Sequence, residues 1–246
     1  MGLAINYKLS AAENLSSAVV RELVSRARLY ARKIGCAKTS DVTRVKPGAP
    51  NTSLFVRAGR EEDCCFGFVP AKRGWGFETW PGRGCESAFF GLCQYPRRAP
   101  FVLRGKRGFT PTDYKGGWLF KGSCKTQYAN EHGWPHFLRC HKTIISILEF
   151  WQKLGVTVET NDEGGYWASR SEEQLKERLR QYDGLVAMMA GAFKDAVEGT
   201  SPAVNSPIFA RNDFERLEAE GWREFGSKLG FGIPVVRSGQ KAQRRN

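Results

Sequence analysis

The sequence predicts an α+β fold, a mainly antiparallel sheet covered by helices. Three observations carry this. The chain runs twice through strand, helix and strand; each of the two helices stops at a glycine; and the segment between the two passages is rich in glycine, proline and aromatic residues, as hairpins are. Two such units suggest a duplicated, ferredoxin-like arrangement, with both helices on one face of the sheet and inserted hairpins extending it.

The elements follow in order. Residues 3–9 (LAINYKL) alternate like a half-buried strand. From about residue 14 to 34, Val20, Val24, Ala27, Ala31 and Ile34 recur at helical steps, and Gly35 ends the helix. Residues 41–45 (DVTRV) read as a strand, and strand candidates at 53–58, 64–70, 75–80 and 86–92 make up the hairpin region. The second passage is a strand at 118–122, a helix at about 135–154 stopped by Gly155, and a β-branched strand at 156–160. Ser171 with Gln174 fits a capping box for a third helix, whose stripe is Leu175, Leu179, Tyr182, Val186, Met189, Phe193 and Val197. Residues 213–225 suit a short amphipathic helix, and SGQKAQRRN a basic tail. The expected organisation is thus one domain over residues 1–199, with a hairpin-rich insert at about 52–117, and a linker, short helix and tail over 200–246.

With 41% hydrophobic residues in 246, a core can form and global disorder is excluded. The longest apolar stretch, residues 143–151, is interrupted by Glu149 and is too short to span a bilayer. Met1 leads straight into the first strand without the segments of a secretory signal, so a cytoplasmic location and no membrane partner are expected. Seven cysteines form an odd set with no two-residue spacing, which argues against both a disulfide framework and a zinc knuckle.

Charge is unevenly placed. The first 130 residues carry 22 basic and 9 acidic side chains, the whole net charge of +13, and the remainder sums to zero. A basic half attracts polyanions over about one Debye length, roughly 8 Å, so nucleic acid or another phosphate-rich partner is the first function class. The polyanion-binding candidates are Arg21, Arg28 and Arg32 on one face of the first helix, and Lys72, Arg73, Arg97, Arg98, Arg104, Lys106 and Arg107 in the hairpin region. Trp75, Phe77 and Trp80 lie among the latter as stacking platforms for bases. Their alternation also fits the buried face of hairpins.

A second candidate is chemical. All three histidines fall at 132–141, beside Cys124 and Cys140 and followed by Asp162. Cys124, His141 and Asp162 have the types of a nucleophile, base and orienting acid, for a thiol-dependent hydrolase or transferase. His136 and Cys140, one helical turn apart, could hold a divalent metal, although no cofactor is required by any motif. His141 also fits a buried core histidine, on the stripe Phe137, His141, Ile144, Leu148, Trp151. A structural or protein-interaction module is the third reading.

The segments GLCQYP (91–96), CKTQYA (124–129), HFLRCH (136–141) and DEGGYW (162–167) together resemble a group of bacterial hypothetical proteins of about this length. The resemblance covers most of the chain up to about residue 198. It implies a bacterial cytoplasmic protein and transfers no catalytic residue.

Overall fold

A computed structural model describes residues 3–49, 51–58, 65–103, 106–112, 114–196, 206–226 and 228. The chain divides into two compact units, one ending at Leu175 and the other beginning at Lys176.

In the larger unit, β1 (Ala4–Ala11) buries Ile5, Tyr7 and Leu9 on one face, as its alternation predicts. Helix α1 (Ser17–Lys33) starts where the Ser16 hydroxyl accepts a hydrogen bond from the Val19 N–H, and it buries Val20, Val24, Ala27 and Ala31. Gly35, at φ +85°, supplies the left-handed turn that ends it. There follow β2 (Lys38–Thr39), β3 (Thr43–Val45), β4 (Leu54–Ala58), β5 (Cys65–Val69), β6 (Arg73–Trp80), β7 (Ala88–Gln94), β8 (Arg98–Leu103), β9 (Lys106–Pro111) and β10 (Trp118–Lys125). A 3-10 turn at Gln127–His132 leads into α2 (Trp134–Lys153), then β11 (Thr157–Asp162) and the short α3 (Tyr166–Ser169).

The main sheet is antiparallel throughout, in the order β11-β1-β10-β7-β6-β2, with β3 also on β6. The second expected unit forms in the ferredoxin-like manner: β10 and β11 run parallel with β1 inserted between them, and α2 crosses from one to the other. The first differs. From α1 the chain goes to β2 at the far edge, because the β6–β7 hairpin takes the places beside β10. Of the inserted hairpins, β6–β7 extends the sheet as expected, whereas β4–β5 and β8–β9 are two-stranded sheets of their own. Both α1 and α2 lie on the face carrying Ile5, Leu9, Phe77, Phe90 and Phe120, and Tyr30 of α1 stacks on Phe150 of α2 with centroids 4.1 Å apart.

Helix α4 (Glu172–Ala196) begins in this unit, and the Ser171 hydroxyl accepts from the Gln174 N–H as the capping pattern predicts. In the smaller unit α4 meets a 3-10 turn (Pro207–Ala210) and α5 (Phe214–Phe225) around Ala187, Ala190, Ile208 and Leu217. The expected stripe drifts here: past Leu179 the buried residues are Asp183, Ala187, Met188 and Ala190, while Phe193 is exposed. The cause is α5, which packs at Gly184, where Gly221 crosses in backbone contact. Val197 and the basic tail lie outside the described residues. No helix among the described residues is long and apolar enough to cross a membrane.

Candidate functional site

Three clusters contain the residues that the sequence nominates. The first gathers where β10 and β11 end beneath α2. His141 Nδ1 lies 3.0 Å from the Thr126 hydroxyl, and its Nε2 lies 3.3 Å from Asp162 Oδ1, out of line for a full hydrogen bond. The same carboxylate accepts the N–H groups of Gly164 (2.9 Å) and Trp167 (2.8 Å). Burial pushes the Asp162 carboxyl up, but His141 beside it and the two backbone donors outweigh burial and hold it below the ordinary range. Neighbouring side chains fix the start of β1: Gln127 Oε1 accepts from the Leu3 N–H and Glu163 Oε2 from the Ala4 N–H.

The structure thus brings together His141 and Asp162 of the proposed triad, with the Thr126 hydroxyl at the other imidazole nitrogen. Cys124 turns elsewhere. Its thiol donates to the Glu86 carbonyl at 3.3 Å, and burial pushes it above the usual thiol range. Thr126, His141 and Cys124 have no exposed surface, so a substrate has no path to them; the arrangement ties α2, β11 and β10 together.

A second cluster lies on α2, one turn from its start. His136 Nε2 and Arg139 NH2 each stand 3.6 Å from Cys140 Sγ. The candidate metal pair His136 and Cys140 is therefore adjacent, but His136 Nε2 sits 2.9 Å from the Arg83 carbonyl, and no group of three or more His, Cys, Asp or Glu among the described residues is placed to hold a metal ion. Arg139, which the sequence reading passed over, faces the thiol because it carries the long side chain next to it.

The third cluster is basic. The Arg21 guanidinium lies over the Trp75 ring, 5.1 Å from its centroid, and Arg73 lies over Trp118 at 5.8 Å. Each indole is fixed from behind: Trp75 Nε1 donates to the Ser17 hydroxyl, and Trp118 Nε1 to the Leu15 carbonyl. Arg44 of β3 stands opposite Trp75 in the strand register, and Lys72 precedes β6; both are exposed. Among the described residues none of Arg21, Arg44, Lys72 and Arg73 is in an ion pair with a carboxylate.

Other nominated cations are engaged. Arg28 is not a free member of its helix stripe: it donates to the Ser40 carbonyl and, at 2.6 Å, to Asp41. Arg97 pairs with Glu13 at 3.2 Å. Arg98 lies over Phe109 on the β8–β9 hairpin, Arg32 and Arg107 are exposed, and Arg104 and the side chain of Lys106 lie outside the described residues. The stacking set needs correction at Phe77, which is fully buried beside Phe90 and has no face for a base; its alternation is that of a strand packed under helices. Trp80 carries Lys38 over its ring and donates to the Cys85 carbonyl.

Comparison with protein-family models, with curated proteins and with solved structures gives no match to this chain.

Proposed function

We propose that this protein binds nucleic acid through phosphate contacts at the end of the sheet where α1 begins. The observation that carries the reading is the pair of guanidinium groups, Arg21 and Arg73, held over indole rings with no carboxylate partner among the described residues. Stacking on an anchored ring limits the rotamers of a long side chain while leaving its charge and outer N–H groups free, which lowers the ordering cost when a phosphate arrives. Arg44 and Lys72 add charge beside them. In this reading the tryptophans orient arginines and do not stack on bases.

The test is fluorescence anisotropy with labelled single-stranded RNA and DNA over a salt series. If these four cations each neutralise one phosphate of a single strand, the slope of log K against log salt is about −2.8, roughly a fifty-fold loss of affinity between 50 and 200 mM. Substituting Arg21 and Arg73 together by alanine should flatten the slope by about 1.4. Absence of binding at low salt, or a slope that the double variant leaves unchanged, overturns the proposal.

A further inference from the structure

Successive residues of a strand point to opposite faces, so the side chains that alternate with the buried ones of β1, β6 and β7 look away from α1 and α2. Three depressions lie on that second face, of about 440, 350 and 480 Å³. The first, on β2 and β6, shares Ser87 with the second, between β7 and β10; the second shares Lys121 and Gly122 with the third, which reaches β1 and β11. In strand order they form one trough across the sheet.

Phe89 is a flat platform in this trough. It stands opposite Glu78 in the register, and two residues along the same face Gly76 pairs with Gly91. The ring lies on that glycine pair: a Cβ at Gly76 would collide with it, and one at Gly91 would stand 3.0 Å from its Cε1. One face of the ring thus rests on backbone, and the half-buried side chain keeps the other toward solvent. The Tyr7 hydroxyl donates to the Phe89 carbonyl at 2.7 Å, and the Phe120 ring lies against that of Phe89 with centroids 5.1 Å apart, so the platform is held in place.

The charge along the trough is balanced. Lys8, Lys38 and Lys121 line it together with Glu78, Glu86 and Glu159, which leaves no surplus to hold phosphates. Asn6 faces it between its register partners Ser123 and Asn161. The Glu78 side chain is exposed and, among the described residues, in no ion pair. Acceptors and amides match the edge of a base, and a flat ring matches its face.

We propose, and the proposal rests on the phosphate-binding reading of Arg21 and Arg73, that this trough holds the bases of the same nucleic acid as a single strand. Strand β6 joins the two sites: it starts at Arg73 and carries Glu78 and Trp80 about 16–23 Å further on, at about 3.3 Å per residue. Phe89 stacks on one base, and only an unpaired base has a face to give. Glu78, across the β6–β7 pair from Phe89, takes the base edge. Its carboxylate only accepts hydrogen bonds, so it selects the amino group of cytosine or adenine and opposes thymine, whose O4 accepts as well. Phosphate contacts set the position of the strand, and the trough sets the base preference.

The test is fluorescence anisotropy on the full-length protein with labelled oligo(dC) and oligo(dT) of about ten nucleotides, and with inorganic polyphosphate as a competitor that has no bases. The wild type should bind oligo(dC) about tenfold more tightly than oligo(dT). Phe89→Ala should weaken both oligonucleotides about tenfold, with the salt slope and the affinity for polyphosphate unchanged. Glu78→Gln alters an exposed side chain and decides the matter should Phe89→Ala not fold; it should cut the oligo(dC) preference to about twofold or less, because an amide both donates and accepts. Equal affinity of the wild type for oligo(dC) and oligo(dT), with polyphosphate still competing, overturns the trough and leaves the phosphate-binding reading standing. No binding of either oligonucleotide or of polyphosphate at low salt overturns both. A preference that Glu78→Gln leaves intact, or oligonucleotide affinities that a folded Phe89→Ala leaves intact, overturns the trough alone.

Discussion

Replacing Asp162 by alanine isolates the energetic role of the buried cluster under α2. The substitution strips an acceptor from the Gly164 N–H, the Trp167 N–H and the face of His141 Nε2, all in a site whose side chains are almost fully excluded from water. Each buried donor left without a partner costs about 1–3 kcal/mol, so with partial relaxation the total is about 4 kcal/mol. For a unit of this size that corresponds to a fall of roughly 8–16 °C in Tm. Asp162→Asn keeps one carbonyl oxygen as acceptor and should cost about half as much. The two variants also separate in pH. The folded Asp162 carboxyl titrates below its unfolded value, so its contribution is complete above about pH 4, the unfolded range, and is lost as pH falls toward the folded value. Urea unfolding of wild type and Asp162→Asn at pH 7, 5 and 3 should therefore show a constant difference between pH 7 and 5 that shrinks at pH 3. A cost for Asp162→Ala below about 1 kcal/mol, or a wild-type advantage over Asp162→Asn that is unaffected by acid, would refute the assignment of His141 and Asp162 as a stabilising pair.

Two further outcomes concern the smaller unit. Gly221→Ala would gain about 1 kcal/mol from helix propensity alone, yet its Cβ would collide with the Gly184 backbone, so we expect a net loss of about 1–3 kcal/mol, read by amide exchange in α4 and α5. A more protected α5 in this variant would contradict the close crossing. Arg211 bonds the buried Asp183 at 2.6 Å and also holds Asp213 at 2.9 Å, so Arg211→Ala should destabilise the unit by about 3 kcal/mol in urea; unchanged exchange in α5 would show that the pair is dispensable.

Periodicity made much of this fold legible in the sequence. Val20 through Ala31 and Gly35 marked α1, Phe137 through Trp151 and Gly155 marked α2, and the alternation of β1 named its buried face, because in each case one face is covered and the residues follow it. Strand order was not legible. Nothing in Lys38–Thr39 says that it pairs with Thr79 and Trp80 at the sheet edge, and nothing in the Gly- and aromatic-rich region distinguishes β6–β7, which joins the sheet, from β8–β9, which does not. The same limit applied to the site. Phe77 and Trp75 are two residues apart on one strand face, and only the position of α1 decides that one is sealed and the other meets Arg21. Partners distant in sequence, such as Thr126 for His141 and the Glu86 carbonyl for Cys124, came with no spacing signal at all.

The uneven charge of the sequence is carried into the fold in part because seven acids of residues 131–246 pair with cations of that same portion. Glu149 pairs with Arg170, Glu172 with Lys142, Glu177, Glu220 and Glu224 with Arg180, and Asp183 and Asp213 with Arg211. Among the described residues one ion pair, Lys8–Glu159, joins an acid of that portion to a cation of the first 130. Carboxylates engaged with their own neighbours cannot neutralise Arg21, Arg44, Lys72 or Arg73, and the surplus of +13 has to be balanced by ions from solution or by a bound polyanion. Release of those solution ions is what makes polyanion binding favourable at low salt, so the segregation of acids in the later part of the chain and the indole-held arginines in the earlier part act in the same direction.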